Sequence, residues 1–390
     1  MSKPTLSLDE IRVNVSRIDQ ELLSLLAERR KLSLEVAKSK IQTQKPVRDI
    51  EREQVLLEKL VANGKSHELD PQYVTKIFHT IIEDSVLYQQ AFLQRLANPD
   101  NEQPLARVSF LGGKGSYSNL ATRNFFARKH TKLAEIQCSS FKEVLEMVET
   151  GNADYGVLPI ENTSSGSIND VYDQLQHTRL SIVGEITQPI EHCLLTAVDT
   201  QIDQIEVLYS HPQPHQQCSE FVRSLGSGIK QEYCSSTAEA MKEVAAMAQP
   251  NVAAIGNAAS GELYGLKPLK FGIANQQENH TRFIVVARKP VEVTALIPAK
   301  TTFIMSTGQS AGSLVECLLV LRNHGINMTK LESRPVLGNP WEEMFYVDVE
   351  GNMRTDVMIE ALEELTKITR YIKVLGSYPI ENVAPTEIDV

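Results

Sequence analysis

The chain has 390 residues, of which 42% are hydrophobic and 23% charged, and its formal net charge is −10. This length exceeds what one hydrophobic core usually serves, so size alone predicts roughly two to four domains. The acidic balance disfavours nucleic acid and anionic membrane surfaces as partners. No stretch approaches the ~18 consecutive apolar residues of a membrane-spanning helix, and the N-terminus has no secretory signal, so we expect a cytoplasmic protein.

The cysteines and glycines give no sign of a metal or cofactor site. Five cysteines are present and none forms a CxxC pair, which argues against a disulfide framework or a zinc site. No GxGxxG motif follows a predicted strand, and GGKGS lacks the spacing of a phosphate-binding loop. The sequence therefore predicts no metal, nucleotide or nicotinamide cofactor.

Residues 8 to 96 show helical periodicity only. The first predicted helix, residues 8 to 41, carries an apolar stripe for about nine turns. A second helix begins near Asp49, and Asp70 with Pro71 forms an N-cap followed by proline that opens a third helix. The first helix is too long to bury its stripe within these three helices, so we expect it to pack against a second copy of the chain. The stripe comprises Ile11, Val15, Ile18, Leu22, Leu25, Leu32 and Val36.

Polar residues interrupt the apolar faces of all three predicted helices. At about 100° per residue, two such residues on each helix share a line with buried positions. They are Arg29 and Lys40, Asp49 and Glu53, and Ser85 and Gln89. Either they form a buried salt-bridge network, or they line a pocket for a small, polyanionic, hydroxylated ligand. The serine and the glutamine favour the pocket, because an ion-pair core needs neither. Arg12 lies about 100° from the stripe, and we expect it to reach elsewhere, such as a second subunit's pocket.

From residue 107 to about 288, short apolar runs alternate with helical patterns, which predicts an α/β fold with mostly parallel strands and ligands at the strand ends. Two glycine- and hydroxyl-rich turns, FLGGKGSYSNLA and PIENTSSGSINDVYD, would offer helix N-termini and backbone N–H groups to anions. N-capping by Ser164 or Ser167 explains the second turn equally well. A third turn, YSHPQPHQQC, contributes His211 and Gln216, for which a structural role is the simpler interpretation.

Residues 300 to 380 predict the βαββαβ order of a ferredoxin-like α+β fold, which by itself implies no catalysis. The segments 96 to 106 and 289 to 300 have the composition of linkers. We therefore predict three domains: an all-α domain at 1–96, an α/β domain at 105–289 and an α+β domain at 299–380.

The segments LLAERRKLSLEVAKSK, PVRDIEREQ and IIEDSVLYQQ resemble the signature segments of the all-helical chorismate mutases. The resemblance implies a Claisen rearrangement of chorismate to prephenate, without proton transfer or a covalent step. Catalysis must then come from folding the substrate into a chair and stabilising charge on the breaking C–O bond. The implied contacts are Arg29, Ser85 and Arg12 of the partner subunit to the carboxylates, Lys40 and Gln89 to the ether oxygen, Asp49 and Glu53 to the ring-hydroxyl region, and Arg52 without a clear role.

The motifs LGxxGSYS, PIENxxSG, SHPQP and TRF occur in this order in the prephenate dehydratases, which the middle segment resembles. That family's fold resembles type II periplasmic binding proteins, with two α/β lobes that close on a ligand. The implied reaction removes the ring hydroxyl and one carboxylate of prephenate, with Thr281 as hydrogen-bond donor at the departing hydroxide and Arg282 nearby. The other implied cleft residues are Ser118, Asn162, Thr163 and Ser164. Gly113 stands where the family commonly has proline, which loosens this turn.

ESRP at 332 to 335 and GSLV at 312 to 315 resemble motifs of the ACT regulatory domain of these dehydratases, where the second motif is usually GALV. The resemblance implies an enzyme of phenylalanine biosynthesis that is inhibited by phenylalanine. The inhibitor would bind between two subunits of a homodimer or a higher homo-oligomer. The implied contacts are Gly312, Ser313, Leu314, Glu332, Ser333 and Arg334.

Three alternatives stay open at this point. The tail can be an inert dimerisation domain, and the middle segment can be a sensor that binds its ligand without turnover. A mutase fused to a prephenate dehydrogenase would need a dinucleotide fingerprint, which is missing.

Overall fold

A computed structural model describes residues 7–99, 104–127, 129, 132–276, 278–336, 342–380 and 386. Contacts between residues divide the chain into two compact units. The helical unit contains the residues up to 99 together with 294–298 and Thr386. The second unit contains the other described residues, so the predicted α/β and α+β segments belong to one compact body. The three-domain division stays a prediction from the sequence.

The helical unit is built from α1 (Leu8–Thr43), α2 (Ile50–Ser66) and α3 (Pro71–Ala97). The caps predicted for the second and third helices are present, because Asp49 Oδ1 accepts from Arg52 N at 3.1 Å and Asp70 Oδ1 accepts from Tyr73 N at 3.0 Å. The apolar stripe of α1 lies exposed in the single chain. Leu22, for example, is 52% exposed and Leu25 is 61% exposed, so this unit alone does not bury the stripe.

The second unit alternates strands and helices along its first part and ends in a separate sheet. Its strands are β1 (Leu105–Leu111), β2 (Lys132–Cys138), β3 (Tyr155–Asn162), β4 (Gly166–Ser167), β5 (Ser181–Pro189), β6 (Cys193–Thr196), β7 (Val207–Ser210), β8 (Lys230–Tyr233), β9 (Val252–Gly256), β10 (Lys267–Lys270), β11 (His280–Ala287), β12 (Ala299–Thr307), β13 (Asn327–Pro335), β14 (Glu343–Glu350) and β15 (Thr369–Pro379). Its helices are α4 (Tyr117–Ala127), α5 (Phe141–Glu149), α6 (Asn169–His177), α7 (Pro212–Gln217), α8 (Ser219–Ser224), α9 (Thr237–Met247), α10 (Ala258–Leu263), α11 (Ser313–Asn323) and α12 (Asp356–Ile368).

The α/β part forms two mixed sheets, with the orders β2-β1-β3-β11-β5 and β10-β6-β9-β7-β8, and β4 pairs with β3. The expectation of mostly parallel strands is wrong, because β11 runs antiparallel to both β3 and β5, and β6 runs antiparallel to β9 and β10. The physical reason is the path of the chain. It leaves the first sheet after β5, builds the second sheet, and returns through β11 between two strands that are already in place.

Helices α7 and α8 follow each other in the chain but are separate helices. The break falls at Cys218, whose φ of −110° and ψ of 16° are not helical. Within the described residues, no helix is both long enough and apolar enough to cross a lipid bilayer.

The C-terminal sheet has the order β13-β14-β12-β15, and its connections follow the predicted βαββαβ order. One face packs against α11 and α12 through a core that includes Phe303, Met305 and Val347. The opposite face joins the core of the α/β part, where Ile304 and Leu375 cluster with residues of β5 and β11. The C-terminal segment is therefore bound to the α/β part over an entire sheet face.

Gly376 on β15 is the point of closest approach between these layers, because a Cβ atom there would overlap the carbonyl oxygen of Ile182 on β5. We expect Gly376→Ala to destabilise the second unit by about 1 to 3 kcal/mol, since main chain cannot move aside as a flexible side chain can. Thermal unfolding monitored by circular dichroism measures the effect. Gly228→Ala is the matched control, because nothing lies within 4 Å of its Cβ position. Equal unfolding midpoints for the two variants would contradict the close packing.

Candidate active sites

A cavity of about 240 Å³ lies among α1, α2 and α3. Its polar lining contains every predicted mutase residue except Arg12: Arg29, Lys40, Asp49, Arg52, Glu53, Ser85 and Gln89. Aliphatic side chains such as Leu32, Val36 and Ile82 complete the wall. The helical periodicity therefore brings residues that are far apart in the sequence to one small enclosure.

Among the described residues, the cations Arg29 and Lys40 of this cavity have hydrogen-bond partners but no carboxylate partner. Arg29 donates to the Ser85 hydroxyl and, at 3.1 Å, to the carbonyl of Ile81, while the Lys40 ammonium donates to the carbonyl of Val47. In the described part of the chain, neither cation forms an ion pair. Burial lowers the pKa of both groups, and for Lys40 the nearby Asp49 carboxylate partly offsets this effect. The buried salt-bridge network is thus not formed, and the charges are available to an anionic ligand.

The carboxylates of the cavity have other partners. Glu53 is buried, and its Oε2 accepts from Arg48 Nε at 3.2 Å and from the Thr386 hydroxyl at 2.7 Å. Asp49 uses Oδ1 to cap α2. The sequence analysis missed Arg48, although it lies within the PVRDIEREQ segment.

The neutral hydrogen-bonding groups are only partly satisfied. Ser85 donates to the Ile81 carbonyl at 2.8 Å, and Gln89 Nε2 donates to the Ser85 carbonyl at 3.2 Å. Gln89 Oε1 is buried and has no hydrogen-bond partner among the described residues. Such an orphan group is uncommon inside proteins and indicates room for a ligand or water. Arg12 is exposed near Asp9 and does not reach the cavity of its own chain.

The second candidate site lies where β3 and β11 pair, with Asn162 directly opposite Thr281. Asn162 Oδ1 accepts from the backbone N–H groups of Ser164 and Ser165, both at 2.9 Å. Because these are donors, the orientation of the amide is determined, and Nδ2 must face Thr281 Oγ1 at 2.8 Å and Asn279 Oδ1 at 2.7 Å. Thr281 accepts a hydrogen bond through its oxygen, so its own hydroxyl proton can be donated to another group.

The remaining predicted residues of this site are divided between the turn and the start of α4. Thr163 Oγ1 accepts from His280 N, at the first residue of β11, at 2.9 Å, and the Ser164 hydroxyl donates to Gln276 Oε1, in the segment before β11, at 3.1 Å. Ser118 is buried in the first turn of α4. This helix packs on the sheet face to which Phe283 points, and alternation along β11 puts Thr281 on the same face.

Arg282 points to the opposite face of the sheet from Thr281. Its guanidinium donates to Glu185 at 2.7 Å, to Asp348 at 2.6 Å and to the Tyr378 hydroxyl at 3.1 Å. Burial alone would lower the pKa of Arg282, but the two carboxylates outweigh burial and raise it. The expectation that Arg282 assists at the cleft therefore finds no support in its contacts.

The residues predicted to bind phenylalanine also separate into two groups. Gly312 precedes α11 with a φ of 91° and open space at its Cβ position, and the Ser313 hydroxyl bonds back to Ser310. Glu332 and Arg334 instead point toward the α/β part, where Glu332 accepts from Ser167 at 2.6 Å and Arg334 holds Asp173 at 2.8 and 2.9 Å. Leu314 lies on α11, and Ser333 is exposed on β13.

Two glycines of the first turn need the left-handed region, Gly112 with a φ of 87° and Gly115 with a φ of 84°. Gly113 does not adopt a positive φ. The sign of φ at this position is thus compatible with a proline.

The sequence analysis also missed a buried chain of hydrogen-bonding groups. His192, which is 1% exposed, lies 3.2 Å through Nδ1 from the Tyr117 hydroxyl and 2.8 Å through Nε2 from Gln217 Oε1. Burial lowers the pKa of His192. The selected residue His211 instead caps α7 by accepting from Gln213 N at 3.3 Å, and the Gln216 side chain is exposed. Of Tyr117, His192 and Gln217, only Tyr117 lies in a motif that the sequence analysis identified, GSYS.

Comparisons with known proteins extend over both units. The model of the chorismate mutase type II family matches residues 11–90, and the model of the prephenate dehydratase family matches residues 108–291. A bifunctional chorismate mutase/prephenate dehydratase of Enterobacter agglomerans is 57% identical, with 97% of each chain covered.

Two solved structures share the fold of most of the chain. The prephenate dehydratase of Arthrobacter aurescens, in complex with L-Phe, has a TM-score of 0.63 and 26% identity, and covers 73% of this chain and 92% of its own. GqqA, described as a quorum-quenching acylase, has a TM-score of 0.63 and 30% identity, and covers 70% of this chain and 97% of its own. The full-length alignment, together with both family matches, shows that the chain belongs to the family of bifunctional chorismate mutase/prephenate dehydratases.

Proposed function

We propose that chorismate rearranges to prephenate in the cavity of the helical unit, and that prephenate is converted to phenylpyruvate beside Asn162 and Thr281. The observation that carries the first assignment is that Arg29 and Lys40 have no carboxylate partner among the described residues. A dianionic substrate supplies the missing negative charge.

In the mutase reaction an ether C–O bond breaks while a C–C bond forms, and no proton moves. Arg29, supported by Ser85, binds a substrate carboxylate, and Lys40 donates to the ether oxygen as negative charge develops there. Gln89 has a second amide proton available for the same oxygen, because one proton is used on the Ser85 carbonyl. Asp49 and Glu53 face the ring hydroxyl, and Arg52 adds positive charge at the cavity wall.

We also propose that the enzyme is at least a homodimer. The exposed apolar stripe of α1 supports this, since a surface of that extent is unusual on a monomer. Arg12, exposed and remote from its own cavity, would then serve the second active site as Arg12 of the partner subunit. Such an interface makes each mutase site dependent on both chains.

In the dehydratase reaction the ring C–O bond and a C–C bond break together. The departing hydroxide becomes water after taking up a proton, the carboxylate leaves as carbon dioxide, and its electron pair makes the ring aromatic. Thr281 donates its hydroxyl proton in a hydrogen bond to the departing oxygen, while Asn162 holds Thr281 Oγ1 from behind. Ser118, Thr163 and Ser164 contribute hydroxyl and backbone N–H groups around the substrate carboxylates.

The C-terminal segment, 299–380, is proposed to be an ACT domain that binds phenylalanine at the start of α11. The βαββαβ order, the open space around Gly312 and the L-Phe complex of the Arthrobacter aurescens relative support this assignment. Backbone N–H groups of α11 would hold the amino-acid carboxylate. Binding changes activity only through unequal affinity for two states, and a tenfold preference corresponds to about 1.4 kcal/mol. A cytoplasmic location stays a prediction.

Lys40→Met should abolish mutase activity and leave dehydratase activity unchanged. A charged hydrogen bond made mainly in the transition state contributes about 3 to 5 kcal/mol, or roughly two to four decades in rate. Chorismate consumption and prephenate consumption are measured separately on one preparation. Lys38→Met on the same helix is the control, because Lys38 is exposed and pairs with Glu35. Near-normal chorismate turnover in Lys40→Met would disprove the assigned role.

Thr281→Val keeps the volume of the side chain and removes the hydroxyl. Chorismate should still be converted to prephenate, and prephenate should accumulate. The expected loss of dehydratase rate is about tenfold to a thousandfold, as for removal of one donor to a developing anion. Product analysis by liquid chromatography gives the ratio of prephenate to phenylpyruvate. Thr281→Ser restores the hydroxyl and should recover most of the activity. Phenylpyruvate formation at the parent rate in the valine variant would rule out the donor role.

Gly312→Asp should weaken inhibition by phenylalanine, because a carboxylate before α11 repels the carboxylate of the ligand. Dehydratase rates across a phenylalanine titration measure the effect, and the uninhibited rate should stay near that of the parent. Gly325→Asp is matched to it, since Gly325 also has a positive φ and open space but follows the C-terminal end of the same helix. An identical dose response in both variants and the parent would exclude the start of α11 as the binding site.

A further inference from the structure

The turn that carries Asn162 is the tip of a hairpin formed by β3 and β4. In its stem, Glu161 pairs with Ser167, and Asn162 pairs with Gly166. Neighbouring residues of a strand point to opposite faces, so Asn162 faces Thr281 while Glu161 faces the other side of the sheet. The stem thus presents Glu161 and Ser167 to the side that the C-terminal sheet covers.

Two side chains of β13 contact this stem. Lys330 Nζ donates to Glu161 Oε1 at 2.8 Å and to the Ser167 hydroxyl at 3.1 Å. The Ser167 hydroxyl donates in turn to Glu332 Oε2 at 2.6 Å, and Lys330 lies 3.3 Å from the same carboxylate oxygen. We call these four residues, Glu161, Ser167, Lys330 and Glu332, the hairpin clamp.

The clamp is partly shielded from water. The side chains of Lys330, Glu332 and Glu161 are 19%, 24% and 33% exposed, so their ion pairs are screened less than surface pairs. Burial lowers the pKa of Lys330, but Glu161 and Glu332 outweigh it and raise the pKa. The tip residues Thr163 and Ser164 are exposed by contrast. The stem is therefore the part of the hairpin that can be held firmly.

The strand that supplies the clamp is itself well anchored. Arg334 on β13 holds Asp173 of α6 through two hydrogen bonds at 2.8 and 2.9 Å. Leu331, between the two clamp residues, points to the other side and packs in the core beneath α11 and α12. A rigid strand can fix the position of the hairpin to the sub-ångström tolerance that catalysis needs.

We propose that Lys330 and Glu332 are positioning residues of the dehydratase reaction, which hold the hairpin so that Asn162 stays aligned with Thr281. The assignment rests on the proposed roles of Asn162 and Thr281. It gives two residues of the C-terminal sheet a part in turnover that is separate from binding an amino acid.

The test is steady-state kinetics of the full-length Lys330→Met variant with prephenate. We expect kcat to fall about tenfold to a hundredfold, because the hairpin shifts away from the reacting atoms, while KM changes less than about threefold. Lys330→Arg keeps a cation within reach of Glu161 and should restore kcat. Glu332→Gln should give a smaller loss, since its amide oxygen can still accept from Ser167.

The matched control is Lys373→Met. Lys373 also ties the C-terminal sheet to the α/β part, by donating to the carbonyls of Gln176 and Thr178, but it contacts the far end of α6. Mutase rate and thermal midpoint, measured on the same samples, report on folding. An unchanged kcat in Lys330→Met, or an equal fall of kcat in Lys373→Met, would overturn the proposal. A fall of kcat that is accompanied by a lower thermal midpoint would overturn it as well, because loss of folded protein would then explain the lower rate.

The outcomes also separate this inference from the proposed active site. If Thr281→Val is fully active, the donor role of Thr281 is wrong, and a loss of kcat in Lys330→Met then shows only that the clamp positions the hairpin, not that it aligns Asn162 with Thr281. If Thr281→Val is inactive and Lys330→Met behaves as the parent, the active site stands and the clamp is wrong.

Discussion

Alternation along β11 is the constraint around which the second unit is organised. Successive side chains of a strand point to opposite faces, so Thr281 and Arg282 lie on opposite sides of the sheet. Thr281 joins Asn162 on the face that carries α4, and Arg282 enters a charged network with Glu185 and Asp348 on the other face. One strand thereby separates the residues of the proposed dehydratase site from the residues that attach the C-terminal sheet.

The attachment of the C-terminal sheet is polar as well as apolar. Around its buried core lie Arg282 with two carboxylates, Lys300 bound to Glu185 at 2.6 Å, and the hairpin clamp. Buried ion pairs contribute little net stability compared with apolar contacts, but removing one partner leaves the other charge buried and uncompensated. Such a contact therefore selects one relative arrangement of the layers, as close packing at Gly376 also does. A C-terminal sheet attached in this way can influence the hairpin that it contacts.

The helical unit follows a different logic. Arg29 and Lys40 are held by neutral oxygen atoms of Ser85, Ile81 and Val47, so that their positive charge is fixed in place without a carboxylate partner among the described residues. In the proposed mutase reaction this arrangement would act as electrostatic preorganisation, because the cations are desolvated during folding and not during the reaction. A rearrangement that transfers no proton has few other ways to be accelerated, apart from confinement of the substrate.

The sequence by itself determined the three helices, most of the polar residues that line the cavity of the helical unit, and the βαββαβ order of the tail. These follow from local rules, because helical periodicity and capping place Arg29, Lys40, Ser85 and Gln89 on inward faces without reference to distant contacts. The tertiary structure decided which strands are neighbours. No local signal states that β11 returns between β3 and β5, that Arg282 meets Asp348, or that Glu332 meets Ser167. Those pairs join residues 66 to 165 positions apart, and only the packing of complete sheets brings them together.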